Sequence, residues 1–329
     1  MKLRLLLLCL PIVLIAAFLA GPRTSVDYRP YAGQLPSDLT AYLQQAEAAY
    51  PDITPGAEKT IRWASAEHRQ TNLAIVYLHG FSATRQETAP LCDDLARSLG
   101  ANLFYTRLSG HGRSNAALGE ARAGQWLNDA EEALAIGKRL GRKVIIIGTS
   151  TGGTLATWLA ATHNDPAILA YVLISPNFAP RDPAAQLLNW PWAKYFVPLL
   201  LGEERRWTPL NAEQARYWNH RYPSKVLLPM MALVQTVNAQ PLEQVRTPLL
   251  LIHAADDQVV SATAASAAFA RFGSAHKRRV ELQHSQDPSH HVLAGRILAP
   301  ADTARVAQLI KQFIVPLAGS AADAHGYGP

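Results

Sequence analysis

The chain has 329 residues, 49% of them hydrophobic, and 31 Lys+Arg against 25 Asp+Glu give a formal charge of +6. Roughly 250–300 of these residues suffice for one large α/β core, and no second domain is required. Basic residues are scattered: setting Lys2 and Arg4 aside leaves +4, and Lys277-Arg278-Arg279 reads as a solvated loop ahead of a strand, so nucleic acid is not expected as a partner.

In chain order, Met1-Lys2-Leu3-Arg4 is positively charged and the sixteen residues Leu5–Ala20 are all apolar. Such a run exceeds an ordinary signal-peptide core and falls short of the ~20 residues that comfortably span a bilayer. Pro11 is expected to interrupt any helix there. Phe18 stands where a processing site prefers a small residue, so residues 1–21 read as an export segment or membrane anchor. The positive end stays cytoplasmic, which places the remainder on the exported side of the inner membrane, in the cell envelope. Only Cys9 and Cys92 are present, and Cys9 lies inside this segment, so no intramolecular disulfide is expected. Residues 22–60 hold a predicted helix, Ser37–Ala49, between proline-rich connectors; it either packs on the core or spaces it from the membrane.

From residue 61 strands and helices alternate. Predicted strands are Leu73–Leu78, Asn102–Tyr105, Lys143–Ile147, Ala170–Ile174, Pro248–His253 and Val280–His284. Helical patterns between them, among them Ala89–Leu99 with Cys92 on its packed face, give the rhythm of a mostly parallel, doubly wound α/β sheet. The most informative stretch is Val144-Ile145-Ile146-Ile147-Gly148-Thr149-Ser150-Thr151-Gly152-Gly153. A buried strand runs into Gly-x-Ser-x-Gly, and Thr154–Ala161 continues as a helix. That context suits a nucleophile elbow: the glycines let two backbone segments pass closely, and the following helix aims its free N–H groups and positive dipole end at the serine. An idle serine in a glycine-rich turn has the same pentapeptide, but not the strand-turn-helix setting.

A serine hydroxyl needs a histidine to take its proton and a carboxylate to orient that histidine. The order Ser, acid, His is met downstream. Asp256-Asp257 follows the strand Pro248–His253. His290-His291 follows Val280–His284, with His284 a more remote choice. The residues alone leave each doublet open. No clustered ligands at zinc spacing, phosphate loop or dinucleotide fingerprint occurs, so neither a metal nor a cofactor is implied.

The chain resembles the α/β-hydrolases, close to bacterial carboxylesterases and monoacylglycerol lipase or lysophospholipase-like enzymes. Leu78-His79-Gly80-Phe81-Ser82-Ala83-Thr84 resembles their oxyanion segment, Leu108-Ser109-Gly110-His111-Gly112-Arg113-Ser114 their Gly-His-Gly-x-Ser turn, and Trp126-Leu127-Asn128-Asp129 their Trp-x-x-Asp. The resemblance implies an α/β-hydrolase core over 61–176 and 248–317 and a helical cap, 177–247, inserted between strands six and seven. It selects Asp257 and His291 from the doublets and implies backbone amides of Phe81 and Thr151 as the oxyanion hole. His79 and His111 are expected to hold loops by hydrogen bonds. The cap segment carries four of the seven tryptophans, Trp190, Trp192, Trp207 and Trp218, which either line an apolar pocket or form the cap's own core. Residues 318–329 read as a disordered tail. The expectation is a serine hydrolase acting on short-to-medium acyl or monoacylglycerol-like esters through an acyl-enzyme on Ser150. A serine peptidase or amidase on the same fold, with Glu203, Glu204 or Glu213 holding an amino terminus, is the nearest alternative, and an inactive envelope-anchored binding protein is another.

Overall fold

Strands β1 (Thr60–Arg62), β2 (Thr71–Leu78), β3 (Asn102–Tyr105), β4 (Gly141–Thr149) and β5 (Ile168–Ile174) precede the cap in this computed structural model, which describes residues 2–323. The cap contributes a small hairpin, β6 (Glu204–Arg206) and β7 (Arg221–Pro223), and β8 (Leu249–Ala254) and β9 (Lys277–Leu282) complete the main sheet. Its order is β1-β3-β2-β4-β5-β8-β9, with β1 antiparallel to β3 and every other neighbour parallel. The sheet is therefore the expected doubly wound one. Only the short β1 precedes β2, so counted on this sheet the cap falls between its fifth and sixth strands, one lower than the family count.

The unbroken apolar runs of β2 and β4 follow from burial on both faces. Ala74, Val76, Leu78, Val144 and Ile146 face the helices Ala123–Leu140 and Thr151–Thr162. Ile75, Tyr77, Ile145 and Ile147 face Leu91–Leu99 and Thr303–Asp323. Parallel register sets Leu78 beside Gly148, Thr149 beside Ile174, and Ile174 beside Ile252. The loops after β2, β4 and β8 thus leave from one edge of the sheet, where ligands bind in open α/β folds.

Several local readings change. The helix Lys2–Leu19 runs through Pro11, which removes one hydrogen bond without ending the helix. Among the described residues no helix is long and apolar enough to cross a membrane. Lys277, Arg278 and Arg279 lie in β9 rather than a loop. β9 is the sheet edge, where charged side chains discourage pairing with another chain, and Lys277 Nζ donates to the carbonyls of Phe269, Ala270 and Phe272 at a helix end. The last helix continues to Asp323 because Val306, Ile310 and Ile314 are buried, with Leu317 and Ala318 packed beside them. The expected disorder therefore does not hold for 318–323, and 324–329 lie outside the described residues.

The helix expected at Ser37–Ala49 spans Leu39–Ala48, capped by Asp38, and it packs on the core through Leu39 and Leu43. Its Glu47 meets Arg107 in a two-pronged ion pair, both bonds 2.8 Å, with only 10% and 4% of the side chains exposed. Removing one partner strands a buried charge, so Glu47→Ala should lower unfolding free energy by about 3–5 kcal/mol. Asp94→Ala, which breaks the exposed Asp94–Arg97 pair, should cost under ~1 kcal/mol. Denaturant unfolding of the two variants checks the contrast.

Candidate active site

Ser150 ends the turn between β4 and the helix Thr151–Thr162 with φ 53° and ψ −119°. A non-glycine residue at positive φ is strained and needs surrounding structure to hold it. Its N–H donates to Ile174 O at 2.9 Å, and its carbonyl accepts from Asn177 N and Thr154 N, each at 3.1 Å. The glycines explain the rest of the motif. A β-carbon on Gly152 would lie 1.9 Å from Leu78 O, and one on Gly148 2.3 Å from Gly152 O.

Of the two acid–histidine doublets, the geometry joins Asp257 and His291. Asp257 follows β8; its Oδ1 accepts from the amides of Val259 at 2.7 Å and Val260 at 2.9 Å, and its Oδ2 meets His291 Nδ1 at 2.8 Å. Both are buried. Asp256 and His290 lie 3.6 Å apart with side chains 50% and 25% exposed. His284 lies beyond the end of β9. Burial alone would push the His291 imidazole down, but Asp257, with smaller help from Asp287 and Glu87, outweighs it and raises the pKa above its ordinary 6.5.

Ser150 and His291 line one cavity. No hydrogen bond joins them in this structure; such contacts often tighten only when substrate binds. With Nδ1 held by Asp257, Nε2 is the nitrogen left to take a proton from the serine.

The amides of Phe81 and Thr151 have no acceptor among the described residues, which suits them to receive an oxyanion. His79 shows how the first is aimed. Its Nε2 accepts from Leu108 N at 3.0 Å, which puts the ring proton on Nδ1, and Nδ1 then donates to Gly80 O at 2.9 Å. Gly80 C=O and Phe81 N–H belong to one planar trans peptide and point oppositely, so holding the carbonyl directs the amide. Burial lowers the His79 pKa to about 4 and keeps the ring neutral. His111 Nδ1, Trp126 Nε1 and the Asp129 carboxylate all converge on the Ser109 backbone, at 3.1, 2.9 and 2.6 Å. The Gly-His-Gly turn and the Trp-x-x-Asp thus form one clamp.

Two acids escaped sequence reading. Asp287 Oδ2 accepts from His291 N at 3.1 Å and Val292 N at 2.8 Å, fixing the histidine loop. The buried Glu87 also borders the cavity. Neither stands in a recognisable motif; a carboxylate in the turn four residues before the histidine was the only signal for Asp287.

The cavity measures about 880 Å³ and is walled largely by cap side chains, including Leu188, Phe196, Leu201, Trp207 and Met230. Trp207 and Trp218 line it, whereas Trp190 and Trp192 are exposed and meet the N-terminal helix, the Trp192 indole donating to Ala17 O and Phe18 O. Both readings of the cap aromatics hold in part. Trp218 also packs with Tyr217, Val292 and Leu298.

A mostly parallel sheet, a serine at a strained elbow, and an acid–histidine pair on later loops of the same edge define an α/β-hydrolase. The family model described as "Serine aminopeptidase, S33" matches residues 69–286, and the chain belongs to that family. A relative, the thermostable monoacylglycerol lipase of Bacillus sp. (strain H-257), is 24% identical over 213 residues, covering 65% of this chain and 82% of that one. Among solved structures, one from work on the metagenome-derived lipolytic enzymes LipS and LipT aligns with TM-score 0.64 and 22% identity, over 80% of this chain and 99% of that one. The monoacylglycerol lipase of Paleococcus ferrophilus aligns with TM-score 0.59 and 18% identity, over 79% and 99%. At those identities the structural matches establish the fold.

Asp257→Asn should lower kcat by about 10⁴-fold, as loss of the orienting carboxylate does in serine triads, while Asp256→Asn stays within a few-fold of wild type. The imidazole must be neutral to act as base, so activity is full above the His291 pKa and falls as pH drops through it. Because that pKa is raised, the acid limb of kcat/KM should lie above pH 6.5, and residual Asp257→Asn activity should show it at lower pH. Steady-state kinetics across pH checks both.

Proposed function

We propose that this chain is a serine hydrolase that cleaves carboxylic esters bearing one short-to-medium acyl chain, monoacylglycerol-like in form. The observation that carries this reading is the 2.8 Å Asp257–His291 bond at the rim of a cavity that also holds Ser150 on its elbow. Ser150 Oγ attacks the ester carbonyl as His291 Nε2 takes its proton, and Asp257 stabilises the imidazolium that forms. The negative charge on the carbonyl oxygen is received by the amides of Phe81 and Thr151, the latter at a helix N-terminus. His291 returns the proton to the leaving alcohol, and water activated by the same imidazole then hydrolyses the acyl-enzyme.

The substrate class follows from the walls. Apolar cap side chains in a cavity of about 880 Å³ suit an acyl chain, and the monoacylglycerol lipase names of the relatives agree. The family description makes an aminopeptidase the second reading, and that chemistry needs a carboxylate free to bind an α-ammonium group. Glu203, Glu204 and Glu213 do not line the cavity. Glu204 pairs with Arg206 and Arg221, and Glu213 with Arg296. Of the three acids that do border it, Asp182 caps its own turn, Asp287 is engaged by backbone amides, and Glu87 accepts from Gly80 N and Tyr77 Oη. Ester hydrolysis is therefore the favoured chemistry. A basic start and an apolar run through Ala20 support export, with the enzyme on the outer side of the inner membrane.

On p-nitrophenyl esters of increasing chain length, wild type should show turnover that peaks at a short-to-medium acyl chain, and Ser150→Ala should lose at least ~10⁴-fold with unchanged thermal unfolding. Near-wild-type activity in Ser150→Ala would sink the mechanism, and faster turnover of aminoacyl p-nitroanilides than of any ester would favour the peptidase.

A further inference from the structure

We propose that Glu87 is a positioning residue of the reaction: by accepting the Gly80 N–H it fixes the loop whose next amide, Phe81 N–H, receives the oxyanion. The inference rests on the ester-hydrolase reading above. Glu87 ends the 3₁₀ turn Arg85–Glu87 and is only 2% exposed, yet its side chain borders the cavity. A carboxyl group taken out of water is costly unless its hydrogen bonds are replaced. Two are: Oε1 accepts from Gly80 N and from Tyr77 Oη, both at 2.7 Å.

Those two bonds reach both halves of the oxyanion hole. Tyr77, fully buried in β2, also lies 3.0 Å from Thr149 Oγ1, on the residue that precedes Ser150 and Thr151. The peptide before Gly80 is thus held by Glu87, and the peptide after it by His79 Nδ1 at 2.9 Å and Ala83 N at 3.3 Å on Gly80 O. With both flanking peptides pinned, Phe81 N–H has one direction left to point. The packing is tight as well as bonded. A β-carbon on Gly80 would sit 3.0 Å from Glu87 Oε2 and 3.2 Å from Ser150 Cβ, so the carboxyl, the loop and the nucleophile border one another. Gly295, after the histidine, closes the far side, where a β-carbon would meet Glu87 O at 2.3 Å. The titratable groups facing Glu87 are Tyr77, Cys92 and His291. Burial pushes the Glu87 carboxyl up to about 7, and Oε1 can accept in either protonation state. A neutral amide is therefore a fair mimic, whereas a thioether of similar size has no comparable acceptor.

The test compares Glu87→Met, Glu87→Ala and Glu87→Gln with wild type in the full chain. Steady-state kinetics on a p-nitrophenyl ester is measured beside the affinity for an alkyl boronic acid, which mimics the tetrahedral intermediate, and for a fatty acid, which mimics product. The Met and Ala variants should lose about 10–100-fold in kcat, the scale of a misplaced catalytic donor, with KM within ~3-fold. Boronate affinity should weaken in parallel while fatty-acid affinity holds, and Gln should restore kcat and boronate binding to within ~5-fold. If Met and Ala fold poorly, the Gln variant alone decides: impairment beyond tenfold would mean that something other than an accepted hydrogen bond matters. Wild-type kcat and boronate affinity in folded Met or Ala variants would equally overturn the proposal. Wild type that neither turns over the ester nor binds boronate would remove the underlying reading first, before any Glu87 variant is compared.

Discussion

Everything at this site depends on one close approach of backbones. Gly152, in the first turn of its helix, lies so near the end of β2 that a methyl group there would collide with Leu78 O, and Gly148 passes as near to Gly152. That approach lets Ser150 keep a positive φ, a conformation that costs of order 1–3 kcal/mol. The strain is held by neighbours on both sides, through Ile174 O, Asn177 N and Thr154 N. Because the strands are parallel and in register, the same edge delivers the oxyanion loop after β2 and the acid after β8. The shared edge brings Ser150, Asp257 and His291 together from loops far apart in sequence.

The sheet and the elbow were legible in the sequence for the same reason. Doubly buried strands read as unbroken branched apolar runs, and glycines are demanded where backbones touch. The acid and histidine doublets were not legible from the residues alone, since a one-residue shift in either loop exchanges them. What fixes them is backbone geometry: the Val259 and Val260 amides seize Asp257 Oδ1 and turn Oδ2 toward His291. The members that family resemblance selects, Asp257 and His291, are the two that this geometry joins. Glu87 stayed invisible because its partners, Gly80 and Tyr77, come within reach only once the 3₁₀ turn folds back beneath the loop. The basic run in β9 misled for a related reason: charge marks a solvated loop and a protected sheet edge equally well.

The cap shows composition reaching its limit. Four tryptophans in one segment signal apolar burial without saying what is buried. Trp207 and Trp218 face the cavity, while Trp190 and Trp192 meet the N-terminal helix, an element whose position relative to the cap no local pattern encodes. Cap charges divide in the same way. Glu204 and Arg206 neutralise each other on the small hairpin, whereas Arg205, its immediate neighbour, reaches the cavity. The result is a chamber with few free charges and much hydrocarbon, a setting better matched to acyl chains than to peptides.

In the proposed mechanism His291, oriented by Asp257, activates Ser150. The most direct measurement is the site and rate of fluorophosphonate modification, by peptide mapping of wild type and His291→Ala after a timed reaction. A single adduct is expected, on the peptide containing Ser150, forming at least ~100-fold more slowly without the imidazole. An adduct on any other serine, or equal rates in the two proteins, would contradict it.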